Sequence, residues 1–164
     1  MILAIDPGCT ESGYVVVDTD YKVYEHGVVS NGELLSIVSD LVNTRIDTVV
    51  IEMMTSYGMP IGKTSMDTLV WVGRYFQAVP FNNVFLMARS KIKRHLCNNM
   101  HAKDKNITVA VKNRYQPTGG GADPFKGTKK QQGPLYGLKS HTFAALAVAI
   151  AYIENPELIY DMSR

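Results

Sequence analysis

Two apolar runs in this chain each end in a carboxylate. Ile2-Leu3-Ala4-Ile5 leads into Asp6, and Thr48-Val49-Val50-Ile51 leads into Glu52. An acid at the rim of a buried sheet is costly unless a cation, a donor network or water meets it. Two acids gathered at one sheet edge suit a hard divalent cation, which prefers oxygen ligands. Phosphodiester hydrolysis needs such a centre, because the attacking water must lose a proton and the departing oxygen's charge must be neutralised. A pair of ions about 3.5–4 Å apart does both. Further ligands must come from elsewhere, and the start of the last helix is the natural source, since His141 and position 144 are three apart and share one face. Position 144, however, is Ala144.

The second chemical signal is charge segregation. The chain has 164 residues and a formal net charge of only +2. Residues 89–140 nevertheless carry twelve Lys or Arg against two acids, Asp104 and Asp123, a net +10 that leaves −8 for the rest. Segregation on this scale points to a polyanionic partner. Within the basic part, residues 115–139 hold Gly119-Gly120-Gly121, Pro117, Pro124 and Pro134 beside Lys126, Lys129, Lys130 and Lys139. This is expected to be a flexible Gly-rich basic loop, either functional or disordered.

The elements that must position these groups are legible from periodicity. Strands are expected at Met1 to Asp6, Gly13 to Asp18, Lys22 to Val29, Thr48 to Glu52 and Val84 to Ala88. Helices are expected at Gly32 to Asn43, opened by a Ser30/Glu33 capping box, then Ser65 to Val79, Ser90 to Cys97, Lys103 to Arg114 and Ser140 to Glu154. This order predicts one α/β domain over residues 1–164: a mixed five-stranded sheet, three antiparallel strands then two parallel, flanked by helices. Around Trp71, Val72 and Phe76 the second helix carries more apolar surface than one face needs. Gly62-Lys63-Thr64 lacks the upstream glycine of a phosphate-binding loop and is read as a helix start.

With these motifs in order, the chain resembles the RuvC-type Holliday junction resolvases of the RNase H-like superfamily, in a form similar to phage-encoded members. The resemblance rests on Ile5-Asp6-Pro7-Gly8 followed by Gly13-Tyr14, on Val50-Ile51-Glu52, on Asp104-Lys105, and on the run from His141 to Ile150. It implies a homodimeric endodeoxyribonuclease that resolves four-way or other branched DNA with two Mg²⁺ (or Mn²⁺) ions per site. Asp6, Glu52 and His141 are then the metal ligands, with Lys105 beside the scissile phosphate. Lys93, Arg94 and Lys103 join the loop lysines as DNA contacts. Tyr57 or Met54 is the candidate wedge against a base, and the helix bearing Trp71 is the expected dimer face.

Ala144 departs from the family pattern, in which that position is an aspartate. It is read as an introduced change that inactivates cleavage; the alternative is a native alanine in a branched-DNA binding protein, or in a one-metal enzyme. A different class, the sugar-kinase and actin-like ATPases, shares the strand-Asp-x-Gly opening but needs two such domains and gives the basic segment no role.

Cys9 and Cys97 are far apart and lack metal-ligand spacing, which argues against a disulfide framework or a zinc site. With no apolar run of spanning length and no basic leader, the expected location is the cytoplasm, that of a bacterial host if the chain is phage-encoded.

Overall fold

The computed structural model describes residues 1–56, 58, 60–80 and 83–160. Five strands, β1 (Ile2–Asp6), β2 (Glu11–Val17), β3 (Val23–Ser30), β4 (Thr48–Met53) and β5 (Val84–Ala88), form one sheet in the order β3-β2-β1-β4-β5. The β1/β2 and β2/β3 pairs are antiparallel, and β1/β4 and β4/β5 are parallel. This is the predicted mixed sheet.

Strand parity divides the core in two. Leu3, Ile5, Tyr14, Val16, Val49 and Ile51 point to one face, where α1 (Asn31–Val42) and α2 (Lys63–Ala78) cover them. Ile2, Ala4, Val15, Val17 and Val50 point to the other, beneath α5 (Ser140–Glu154). Beside α5 on that face lie α3 (Arg89–Cys97) and α4 (Asp104–Lys112). Central strands buried on both faces read as unbroken apolar runs, as in parallel sheets generally. By the same logic α5, sandwiched between sheet and neighbouring helices, is apolar on nearly every side and buries Thr142, Phe143 and Ala145 to Ala151.

One surface expectation changes. Val72 does not belong to an outer face: it points into the core with Tyr75 and Val79, because it lies one helical turn from the first and two from the second. The apolar side chains that α2 does expose are Met66 and Val70, at 55% and 61%. Trp71 is half-buried and carries the Arg74 guanidinium 4.1 Å above its ring.

Residues 115–139 form neither helix nor named strand, yet their backbone is tied. Gly119 N donates to Pro124 O (2.8 Å), Gly120 N to Gln131 O (2.9 Å), Gly133 N to Lys126 O (2.9 Å) and Leu135 N to Phe125 O (2.8 Å). Leu135 and Leu138 then anchor the segment in the core. Among the described residues, no helix is long and apolar enough to cross a membrane.

Candidate active site

Parity and register bring the two acids together. Asp6 shares the parity of Ile2 and Ala4, and Glu52 that of Val50, so both side chains point to the α5 face. Ile5 pairs with Ile51, which sets the next residues, Asp6 and Glu52, side by side at the strand ends. Both carboxylates are buried.

The N-terminus of α5 closes over Asp6. His141 Nδ1 lies 3.0 Å from Asp6 Oδ2, and with Asp6 ionised Nδ1 is the donor of that bond. Gly13, the strand partner of Asp6, makes this approach possible. A Cβ there would sit 2.6 Å from the carbonyl carbon and oxygen of His141. The turn after Asp6 is held by a buried polar cluster: Gly8 N donates to Ser12 Oγ (3.1 Å), and Asn31 Nδ2 to Gly8 O (3.0 Å). Ser12 Oγ donates to Asn31 Oδ1 (2.6 Å), and Tyr75 OH reaches both residues, 3.2 Å from Ser12 Oγ and 3.1 Å from Asn31 Oδ1.

Arg89 completes the centre. It is the first residue of α3, immediately after β5, where Met87 pairs with Glu52. Its Nη1 bonds Glu52 Oε1 and lies 4.0 Å from Asp6 Oδ1, while Nη2 donates to Asp104 Oδ1 at 3.0 Å. Lys93 Nζ stands 4.0 Å from the same Asp104 oxygen. Burial pushes the Glu52 carboxyl up to about 7, with Arg89 working against that rise and the Asp6 charge adding to it. Asp6 is also raised, again chiefly by burial, against the pull of the His141 hydrogen bond and Arg89.

These groups line a cleft of about 470 Å³ whose walls include Met54, Lys93, Asp104, His141, Phe143 and Ala144. Asp6, Glu52, His141 and Ala144 therefore all line this cleft, as does Lys93. Ala144 lines the cleft but offers no donor atom. Lys105 is exposed on α4 and is not among the cleft-lining residues; its neighbour Asp104 is. Arg94 and Lys103 are exposed on the same side of the fold, Arg94 Nη2 lying 3.6 Å from Met100 Sδ. Lys126 Nζ sits 5.2 Å from the Phe143 ring centroid, while Lys129, Lys130 and Lys139 are exposed. Tyr57 lies outside the described residues.

Sequence reasoning overlooked Arg89 and Asp104 as site residues. Arg89 was only one of twelve basic residues in the charged stretch. The signal that singles it out is positional: the residue following a parallel strand beside β4 must fall next to the end of β4.

In type, two carboxylates and an imidazole fit one hard divalent ion. A second ion lacks the carboxylate that position 144 would supply. As the side chains stand, no three His, Cys, Asp or Glu side chains among the described residues converge on one ion position. Arg89 bonds Glu52 in this arrangement.

The fold is shared with solved structures of RuvC and of a viral resolvase. Over 96% of both chains, the structure matches RuvC of Thermus thermophilus in complex with a Holliday junction substrate, with a TM-score of 0.62 and 21% identity. The RuvC chain of the same organism in a structure named without DNA matches at 0.60 and 20%, over 96% of this chain and 95% of that one. The Fowlpox virus resolvase in complex with Holliday junction DNA matches at 0.53 and 11%, over 94% and 99%. This is the RuvC-like resolvase fold. No protein-family model and no curated protein matches the sequence.

Proposed function

We propose that this chain is a structure-selective endodeoxyribonuclease for four-way and other branched DNA, dependent on Mg²⁺ or Mn²⁺, with cleavage suppressed by alanine at position 144. One observation carries the reading. Two buried carboxylates from adjacent strands face one cleft, with an imidazole 3.0 Å from Asp6, in a fold shared with two resolvases solved on junction DNA.

Asp6 and Glu52 would hold the ion, with His141 beside them. Bound there, such an ion supplies Lewis acidity to a phosphodiester and charge neutralisation to its leaving oxygen. The protein's own groups do the rest. His141 orients the Asp6 carboxylate through Nδ1 and keeps Nε2 for a proton at the cleft mouth. Lys93 offers a cation to the scissile phosphate from inside the cleft, a role that its position supports better than that of exposed Lys105. Arg94, Lys103 and Lys105, with Lys126, Lys129, Lys130 and Lys139, form the wall that contacts flanking phosphates. Met54, at the cleft edge, is the apolar group available to disturb stacking. Symmetric cuts in a four-way junction call for a two-fold dimer, for which exposed Met66 and Val70 are the apolar contacts.

The alternative, a binding protein of this fold that does not cut, is favoured by Ala144 itself. One experiment separates the two: binding to a synthetic four-way junction against linear duplex, followed by a cleavage assay of the parent and Ala144→Asp with Mg²⁺ or Mn²⁺. The nuclease reading expects junction preference in both. It also expects Ala144→Asp to gain at least the roughly 10- to 100-fold that even outer-shell partners of a metal are worth. Equal binding to duplex and junction, or no gain in cutting, would reject it.

A further inference from the structure

Arg89 spans three carboxylates. Its Nη1 serves Glu52 and lies 4.0 Å from Asp6, the pair that would hold a divalent ion, and its Nη2 serves Asp104 at 3.0 Å. Glu52 and Asp6 are buried, whereas the Asp104 side chain is 80% exposed at the cleft mouth. The guanidinium therefore bridges the buried acid pair and an exposed acid, and an incoming cation must compete with it for Glu52. It also has a way out, because its own side chain is 36% exposed and already bonded to the outermost of the three acids.

We propose that Arg89 is a displaceable counter-cation: it neutralises the Asp6–Glu52 pair in the free chain and yields that pair to a divalent ion when a DNA phosphate takes the guanidinium. Metal loading is then coupled to DNA binding. The proposal rests on the nuclease reading above and says how that same site is regulated.

The physical steps are short. When ionised, two carboxylates removed from water need a cation, and an arginine tethered one residue beyond β5 supplies it without a bound ion. A free ion must compete with that tethered charge, and Ala144 offers no donor to help it. A phosphate changes the balance, since a guanidinium binds phosphate bidentately in a geometry as good as its bond to a carboxylate. Lys93, 4.0 Å from Asp104, then becomes the nearest cation to the acid that Arg89 leaves. Because coupling is reciprocal, the metal tightens DNA binding by the same factor.

The test is Mn²⁺ uptake, read from the loss of the free-ion electron paramagnetic resonance signal. It uses the full chain stripped of metal, alone and with a saturating four-way junction. Glu52→Gln reports the uptake that belongs to DNA and to other sites, and is subtracted. Without DNA, Arg89→Gln is expected to bind Mn²⁺ at least about tenfold more tightly than the parent, with Arg89→Lys in between. Junction DNA is expected to tighten the parent by about tenfold or more, and Arg89→Gln by less than about threefold. Thermal melts establish that each variant is folded, and Arg89→Lys carries the comparison if Arg89→Gln is not. Equal Glu52-dependent affinities of parent and variants overturn the role of Arg89 and leave the metal site standing, as does DNA tightening all of them alike. Absence of Glu52-dependent uptake in every protein, Ala144→Asp included, overturns both this proposal and the metal-dependent reading on which it rests.

Discussion

Replacing Glu52 by glutamine tests the electrostatics of the centre without any assumption about DNA. Burial raises the Glu52 carboxyl from 4.5 to about 7 in the folded chain, so the folded state holds a proton that the unfolded chain has already released. This group's contribution to stability is therefore fully present below about 4.5, and it is lost as the pH rises through about 7. A rise from 4.5 to about 7 corresponds to about 3 kcal/mol. For a chain of this length that is a shift in Tm of roughly 6 to 12 °C. In Glu52→Gln the new amide keeps the shape and still accepts from Arg89 through its carbonyl oxygen, but it does not ionise. Melting curves followed by circular dichroism from about pH 5 to about pH 8, at fixed ionic strength with chelator, should therefore diverge. The Tm of Glu52→Gln should gain on that of the parent by roughly 5 to 10 °C across the range, since part of the effect is already spent at about pH 5. Parallel curves for the two proteins would refute the argument that Glu52 is ionised against its burial.

Three further outcomes follow from other contacts. Gly13→Ala places a Cβ 2.6 Å from the His141 backbone, so the first turn of α5 must shift; a loss of roughly 1–3 kcal/mol in urea unfolding is expected, and parent-like stability would contradict the close approach. Tyr75→Phe removes the hydroxyl that serves Ser12 and Asn31 beneath the Asp6 turn, and should cost about 1–2 kcal/mol by the same measurement. An unchanged midpoint would show that the cluster does not depend on it. For Lys129→Ala with Lys130→Ala, the slope of log K against log salt for DNA binding should fall by about 2 if each lysine meets a phosphate, and an unchanged slope excludes them from the interface.

The sheet was legible because its strands are long apolar runs with acids or turn residues at their ends, and parity does the remaining work. Once Leu3 and Ile5 face one layer, Asp6 must face the other, and the same alternation fixes Glu52. Val84 to Ala88 and Ser140 to Glu154 keep their predicted bounds, since Pro80 and Asn155-Pro156 interrupt the chain nearby. Helix starts were less legible: α3 begins at Arg89 and α2 at Lys63, both without a side-chain cap, so no Ser, Thr, Asp or Asn marks them. On α2, Val72 turns inward and Val70 outward; in a run such as Leu69-Val70-Trp71-Val72, apolar at every position, the sequence marks an excess of apolar surface more clearly than its exact outer members.

Two of the cleft's five charged residues, Arg89 and Asp104, went unread for a related reason. Composition counts Arg89 among cations that face a polyanion, and a count carries no direction. Direction comes from the β4/β5 register, which turns one of those cations inward onto Glu52 while Lys129 and Lys130 stay outside. A basic stretch is thus two things at once: an outer wall suited to phosphate, and inner cations, Arg89 foremost, that balance the acids the wall surrounds. If that residue is what a phosphate must first draw away, the charge asymmetry along the sequence and the paired acids are one device, and weakening Arg89 should alter metal affinity before it alters anything else. A variant of Arg89 with parent-like metal affinity but weakened DNA binding would assign it to the outer wall after all.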